Sequence, residues 1–334
     1  MMTAKENFLR TMAGDNPERL VNGWEPFAVI TNDPFRAFLR GSRKRGQETV
    51  DIWGTHFIWH DDQPGAAPHI TADNKVIKDI TNWRRDLLVP DLLSQCTDWS
   101  AARESAEQAA REEKLVTTIM TGGLFEQAHF LMGIEDTLCN LLLEPDHMAE
   151  LLRVLLEYKM TYARALVENL RPQVMLSHDD WGEKTRLFMS PDTWRRFFKP
   201  LYAELYGYLK DNGVIVMHHA DSFCEPIVED MAEIGIDIWQ GVLPQNDIPA
   251  MQKRLVGRMV LMGGVDTAKI DVAGWTEAAV REEARRACRE YGPAGYFIPG
   301  ITYGGTSTIH PEVDVIVCDE ISKCAADYVA RGAR

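Results

Sequence analysis

From residue 115 onward, short apolar runs alternate with longer stretches whose apolar positions recur at helical spacing. LVTTIMTGG at 115–123 predicts a strand and a glycine turn, and 144–170 predicts a long amphipathic helix with Asp146 as a cap and a stop at Pro172. QVMLSHDD at 173–180 predicts the next strand, and a Ser-Pro-Asp start at 190 opens a helix that runs to 213. GVIVMHHADSF at 213–223 begins as a strand and ends in polar residues, with a helix near 224–234 behind it. IDIWQG at 236–241, GRMVLMGGVD at 257–266 and GYFIPGITYGG at 295–305 predict three more strands, with helices across 275–291 and at the end of the chain.

Strand and helix in alternation, joined by glycines, predict a parallel sheet. The six units after residue 115, with LVNGWEPF at 20–27 and a further strand near 51–59, make about eight. That number predicts an α/β chain closed into one (β/α)8 TIM barrel, a single domain over 1–334. No GxGxxG follows a strand, so an open dinucleotide-binding sheet lacks its fingerprint. Residues 28–95, richer in Trp, Pro and turn residues, read as an N-terminal insertion in the barrel.

Charge narrows the function classes. Lys and Arg number 36 against 50 Asp and Glu, a net charge of −14, which repels phosphate backbones and excludes nucleic acid as the expected partner. The six cysteines are scattered without a CxxC pair, the usage of a reducing cytoplasm. The opening MMTAKENFLRTMAGDNP reads as a charged amphipathic helix rather than a signal peptide. No apolar run approaches the ~18 residues that span a bilayer. The expectation is a soluble, cytoplasmic protein with no membrane contact.

In such a barrel the active site lies at the C-terminal ends of the strands. Those ends carry Glu25, Glu126, His178, Asp179, Asp180, His219, Asp221, Gln240, Asp266 and Tyr303. Polar groups at a strand mouth must be paired, exposed or bound to something, because burying them alone costs several kcal/mol. Residues two apart share a face, so His219 and Asp221 project together and His218 points away. That pair suits a divalent metal or a hydrogen-bonded acid and base. It equally suits a helix cap at Asp221 with His219 bonded to a carbonyl. One of Asp179 and Asp180 is expected to do no more than end a strand, and Glu126 has a second use beside a helix dipole. Trp53, Trp59, Trp83 and Phe125 are pocket-wall candidates among residues that more often fill cores. His310 reads as a surface residue at a helix start, and the cysteines read as buried packing.

The segments GGLFEQAHFLMG, SHDDWGEKTRLFMSPDTWRRFFKPLYAEL, VIVMHHADSF with IVEDMAEIGIDIWQGV, and LMGGVD resemble the uroporphyrinogen decarboxylase superfamily. The resemblance covers most of the chain and implies a single barrel. The decarboxylase itself carries an N-terminal RQAGR-like run whose arginines hold substrate carboxylates. Here that region reads LVNGWEPFAVI, with Gly23, Trp24 and Glu25 and no arginine. The methyltransferases of the superfamily that act on thiols hold zinc through His-x-Cys and a later Cys after Pro-Gly. Here the matching positions are His219-Ala220-Asp221, and Ile301 after Pro299-Gly300.

The pattern is most similar to the methyltransferase component of anaerobic O-demethylases, which moves a methyl group from an aryl methyl ether to the Co(I) corrinoid of a carrier protein. That likeness implies a small-molecule methyl donor, a corrinoid carrier protein as partner, and leaves open a zinc with oxygen and nitrogen ligands and a homodimer. It implies His219, Asp180, Glu126 and Tyr303 for catalysis, Glu25, Trp24, Phe125 and Gln240 for substrate contact, and His219 with Asp221 for a metal. A carboxy-lyase of the same family, or a barrel that binds a corrinoid or small molecule without turnover, remain the alternatives.

Overall fold

The structure, a computed structural model, describes residues 2–40, 43–120, 122–303 and 308–332. Its first strand, β1 (Phe27–Ile30), precedes three short strands, β2 (Glu48–Val50), β3 (His56–Ile58) and β4 (Ala67–Pro68). Six more follow: β5 (Leu115–Met120), β6 (Val174–His178), β7 (Ile215–His219), β8 (Ile238–Val242), β9 (Val260–Val265) and β10 (Phe297–Ile301). β1 and β5 to β10 form one parallel sheet in chain order, whereas β2 to β4 make a separate antiparallel sheet.

The parallel strands are apolar along their length because both faces are covered. Alternate residues of every one of them, Phe27, Leu115, Ile119, Val174, Leu176, Met217, Ile238, Val260, Met262 and Ile298, meet in one interior cluster with Phe8 and Val21. The opposite faces pack into the larger core shared with the helices. A sheet whose inner residues all meet must curl, and the architecture is TIM-barrel-like. Phe8 comes from the helix Ala4–Ala13, which starts in a capping box between Thr3 and Glu6 and stops at Gly14, φ 65°.

Two expected barrel strands are absent. Residues 20–27 do not form one strand, because Gly23 takes φ 49° and the Phe27 N–H closes a turn on the Trp24 carbonyl. The segment still lies against β10, with the Gly23 N–H donating to the Pro299 carbonyl at 3.2 Å. The strand expected near 51–59 is β3, which pairs antiparallel with β2 and β4 outside the parallel sheet. With β1 (Phe27–Ile30) in place of the strand expected at 20–27 and none from 51–59, the described sheet has seven strands rather than eight. The helix expected over 190–213 is two, Pro191–Phe197 and Lys199–Asp211, since Pro200 has no N–H for the ladder. Among the described residues no helix is long and apolar enough to cross a membrane.

One buried carboxylate ties this framework together beneath the strand mouths. Asp179 accepts the N–H groups of Phe125 (3.0 Å) and Glu126 (2.8 Å), the Trp181 indole N–H (2.9 Å) and the Tyr202 hydroxyl (2.5 Å). It thereby fixes the start of the helix Leu124–Met132 to the end of β6. Gly123 is required there, because a Cβ would stand 2.1 Å from that of Asp179. Asp179→Ala strands the Trp181 and Tyr202 donors, at about 1–3 kcal/mol each. Urea denaturation should show a loss of about 3 kcal/mol or more, and a loss under about 1 kcal/mol would remove Asp179 from this role.

Candidate active site

β6 and β7 pair in register so that His178 stands beside His219. Their ring centroids are 4.5 Å apart. Two residues further on, Asp180 and Asp221 follow the same faces, and the Asp221 N–H donates to Asp180 Oδ1 at 3.0 Å. Glu126 joins them from the helix after β5, its Oε2 3.5 Å from His178 Nδ1 and accepting the Gly123 N–H at 3.2 Å. These groups open into a cavity of about 880 Å³ whose walls include Trp24, Trp53, Phe57, Phe130, Tyr158 and Phe188.

Burial sorts the protons. It raises Glu126 to about 8, with Asp180 adding to the rise and His178 opposing it. Burial alone would lower His178, but Glu126 and Asp180 outweigh it and carry the imidazole up to about 10. Burial, then the Asp180 charge, also pushes Asp221 well above the usual carboxylate range. Asp180 goes the other way, because His178 outweighs the burial that opposes its charge. Burial therefore favours the protonated acid at Glu126 and Asp221, whereas the facing charges favour the ion pair of His178 with Asp180.

His219 is the neutral member. Burial lowers its imidazole to about 4, and the His178 charge adds to that. Gln240 fixes the tautomer: its Nε2–H donates to the Tyr303 carbonyl at 2.9 Å, which leaves its Oε1 to accept from His219 Nδ1–H. His219 Nε2 then carries a lone pair and no proton.

His178, Asp180 and His219 bring one ligand atom each within 4.8 Å of one another. His178 Nε2 is 3.4 Å from Asp180 Oδ2, and it is a buried nitrogen without a hydrogen-bond partner among the described residues. An orphaned imidazole nitrogen, a neutral imidazole and an ionised carboxylate suit a zinc-like ion. Binding one there requires His178 to release its proton.

Of the expected pair, His219 stands in this group of three with His178 and Asp180, while Asp221 lines the same cavity outside the group. Trp24, Glu126, Asp180, His219, Asp221 and Tyr303 all line the cavity. Burial, with Asp271 beside it, raises the Tyr303 hydroxyl to about 12. Gln240 is fully buried and does not line the cavity, but it bonds two residues that do, His219 and Tyr303. Glu25 stands apart, because Arg19 holds its carboxylate at 2.6 and 3.0 Å and the Asn22 N–H donates to it at 2.9 Å. Phe125 is core, packed against Phe188 and Phe198, and Trp59 and Trp83 are not in the cavity wall, whereas Trp53 is. His218 points away as expected, stacked on Trp181 and bonded to the Tyr206 hydroxyl at 2.7 Å. Cys139 is exposed rather than buried. The loop at 304–307, part of the expected last strand and loop, lies outside the described residues.

His129, Lys159, Arg36 and Arg43 also line the cavity, and none was a candidate in the sequence. Lys159 and His129 sit mid-helix among apolar residues, with no motif to mark them. His178 carried a usable signal, since SH and HH end consecutive parallel strands.

The chain is a TIM-barrel-like protein with an imidazole and carboxylate cluster at its strand mouths. Residues 61–315 match the uroporphyrinogen decarboxylase (URO-D) family, and the chain belongs to that family. A methyltransferase from Methanosarcina mazei is similar in fold, with a TM-score of 0.65 at 16% identity over 98% of this chain and 99% of that one. A xylose isomerase-like TIM barrel protein from Mycobacterium smegmatis, in complex with magnesium, reaches a TM-score of only 0.37 at 12% identity, over 70% of this chain and 81% of that one. No curated protein is significantly similar to the chain.

The raised values of Glu126 (about 8) and His178 (about 10) mean the folded state holds protons that the unfolded chain releases nearer pH 4.5 and 6.5. Both contributions are present at low pH and fade as pH rises through the folded values. Between pH 7 and 10 the wild type should lose stability faster than His178→Gln/Glu126→Gln, read from urea midpoints. Equal slopes would show that these groups do not hold the extra protons.

Proposed function

We propose that this chain is a methyltransferase that moves a methyl group from a methoxylated aromatic donor to the Co(I) corrinoid of a separate carrier protein. The observation that carries the reading is the proton-holding couple of His178 and Glu126 in a cavity walled by aromatic rings. Among the described residues no cysteine lines that cavity, and burial raises the Cys224 thiol beyond β7 to about 12. The site is therefore built to act on an oxygen rather than to activate a thiol.

In the reaction the methyl–oxygen bond breaks, and the cobalt electron pair forms the new bond to the methyl carbon. The aryl oxide keeps the electron pair of the broken bond. A phenol has a pKa of ~10, so its anion leaves slowly near neutral pH unless a proton reaches it. His178 and Glu126 hold protons at that pH and face the cavity, so either donates to the departing oxygen and the other resupplies it. His219 has no proton on Nε2 to give, which moves the acid role from His219 to His178 and Glu126. A divalent ion held by His178, Asp180 and His219 would polarise the same oxygen as a Lewis acid. The aromatic walls, with Trp24 and Tyr303 among them, hold the ring of the donor. The carrier protein, and a second copy of the chain as homodimer, are the proposed partners.

A decarboxylase reading gains from one observation. The segment LVNGWEPFAVI at 20–30 carries no arginine, yet Arg36, Arg43 and Lys159 all reach the cavity. The two readings diverge in one assay. With a methoxylated aromatic, a reduced corrinoid carrier and a reductant, the protein should form methyl-Co(III), read by absorbance, and His178→Gln or Glu126→Gln should slow it by roughly 10²–10⁴-fold. Release of CO2 from uroporphyrinogen with no corrinoid, and no methylation of cobalt across a panel of donors, would contradict the proposal.

A further inference from the structure

The cysteines are scattered along the sequence, but two of them meet in space. Cys288 lies in the helix Glu277–Tyr291 and Cys324 in the last helix, Pro311–Gly332. These helices follow the neighbouring parallel strands β9 and β10, so they run side by side in the same direction. Ion pairs fix how they lie against each other. Arg281 Nη1 is 2.9 Å from Glu320 Oε2, and Arg285 Nη1 is 2.9 Å from Glu320 Oε1. One turn further along each helix come Cys288 and Cys324, and the Cys288 thiol donates a hydrogen bond to Cys324 Sγ. Cys288 is buried, whereas Cys324 is partly exposed. Packed helix axes lie ~8–10 Å apart with Cα atoms ~2.3 Å off each axis, so facing residues bring their Cα atoms to about 3.5–5.5 Å. A disulfide spans ~4.4–6.8 Å between Cα atoms, so the pair can be bridged where the helices stand.

We propose that Cys288 and Cys324 form a dithiol site that a low-molecular-weight disulfide oxidises to an internal disulfide, latching the last helix to the one before it. The exposure of the two residues sets the order of events. Cys324 is the thiol that a small molecule reaches, and Cys288 waits behind it. The bond to Cys324, with burial behind it, pushes the Cys288 thiol up, so Cys324 gives up its proton first. The Cys324 thiolate attacks one sulfur of the small disulfide, and the other sulfur leaves as a thiolate. Cys288 then loses its proton and attacks Cys324 Sγ of the mixed disulfide, which releases the second small thiolate. The protein thiols lose two electrons and two protons, and the small disulfide gains both to become two thiols. The new bond closes residues 288–324 into a covalent loop with β10 inside it, which restricts the unfolded chain and stabilises the folded one.

Equilibration of the full-length, reduced protein with glutathione buffers of rising oxidised fraction tests the site. Peptide mapping without reductant should show Cys288 joined to Cys324, with no glutathione on either and full reversal by dithiothreitol. Cys288→Ser should leave glutathione on Cys324, the trapped intermediate, and Cys324→Ser should leave Cys288 reduced. The bridged protein should unfold at a higher urea concentration than the reduced one, a difference that Cys288→Ser abolishes. The wild-type map carries the test by itself if a variant fails to fold. No Cys288–Cys324 bridge in fully oxidised glutathione, glutathione retained on Cys324 of the wild type, or bridges that run through the exposed Cys139 instead would overturn the site. A urea midpoint lowered by the bridge would overturn the latch.

Discussion

The in-register pairing of β6 with β7 forces two imidazoles and their following carboxylates into one small volume. Burial penalises every charge in it, and the charges in turn decide which groups keep their protons. Had the register slipped by one residue, His178 would face the helices and the cluster would not exist. Asp179 shows how the framework guards against that slip. Its carboxylate joins the end of β6 to the helix after β5, and the same backbone contact delivers Glu126 to His178. Structural and chemical acids thus alternate along the chain, Asp179 holding the fold and Asp180 facing the cavity.

Much of the parallel sheet was legible in the sequence, because strands buried on both faces are written as short apolar runs. β5 to β10 fall where those runs predict them. The first strand and the small sheet were not, for physical reasons. The positive φ of Gly23 turns the chain inside a run that reads as continuous, and a short apolar run near 51–59 does not say which sheet a strand joins. The shared face of His219 and Asp221 also followed from the two-residue repeat. What spacing did not reveal is which strand lies beside which at atomic depth. The register places His178, not Asp221, next to His219, and Gln240 shapes the site from behind by setting a tautomer. Arg36 and Arg43 were invisible because they come from a helix and a loop with no periodic signal toward the barrel.

Membership of the URO-D family accounts for the barrel and leaves the chemistry to the rim. The rim of this chain presents imidazoles and carboxyl groups, with no sulfur in the cavity wall among the described residues. His178 stands at the junction of both proposed uses, beside Glu126 for the proton and beside Asp180 and His219 for a metal ion. The proposed acid catalysis and metal binding therefore compete for one imidazole, linked through pH.

The central claim is the division of labour between the two imidazoles, a charged His178 and a neutral His219 that carries its proton on Nδ1. Long-range nitrogen–proton correlation spectra of the histidine rings, recorded on chelator-treated protein at pH 8, read both states directly. The account predicts a doubly protonated ring for His178 and an Nδ1–H tautomer for His219, assigned by His178→Gln and His219→Gln. A neutral His178 at that pH, or a His219 protonated on Nε2, would contradict it.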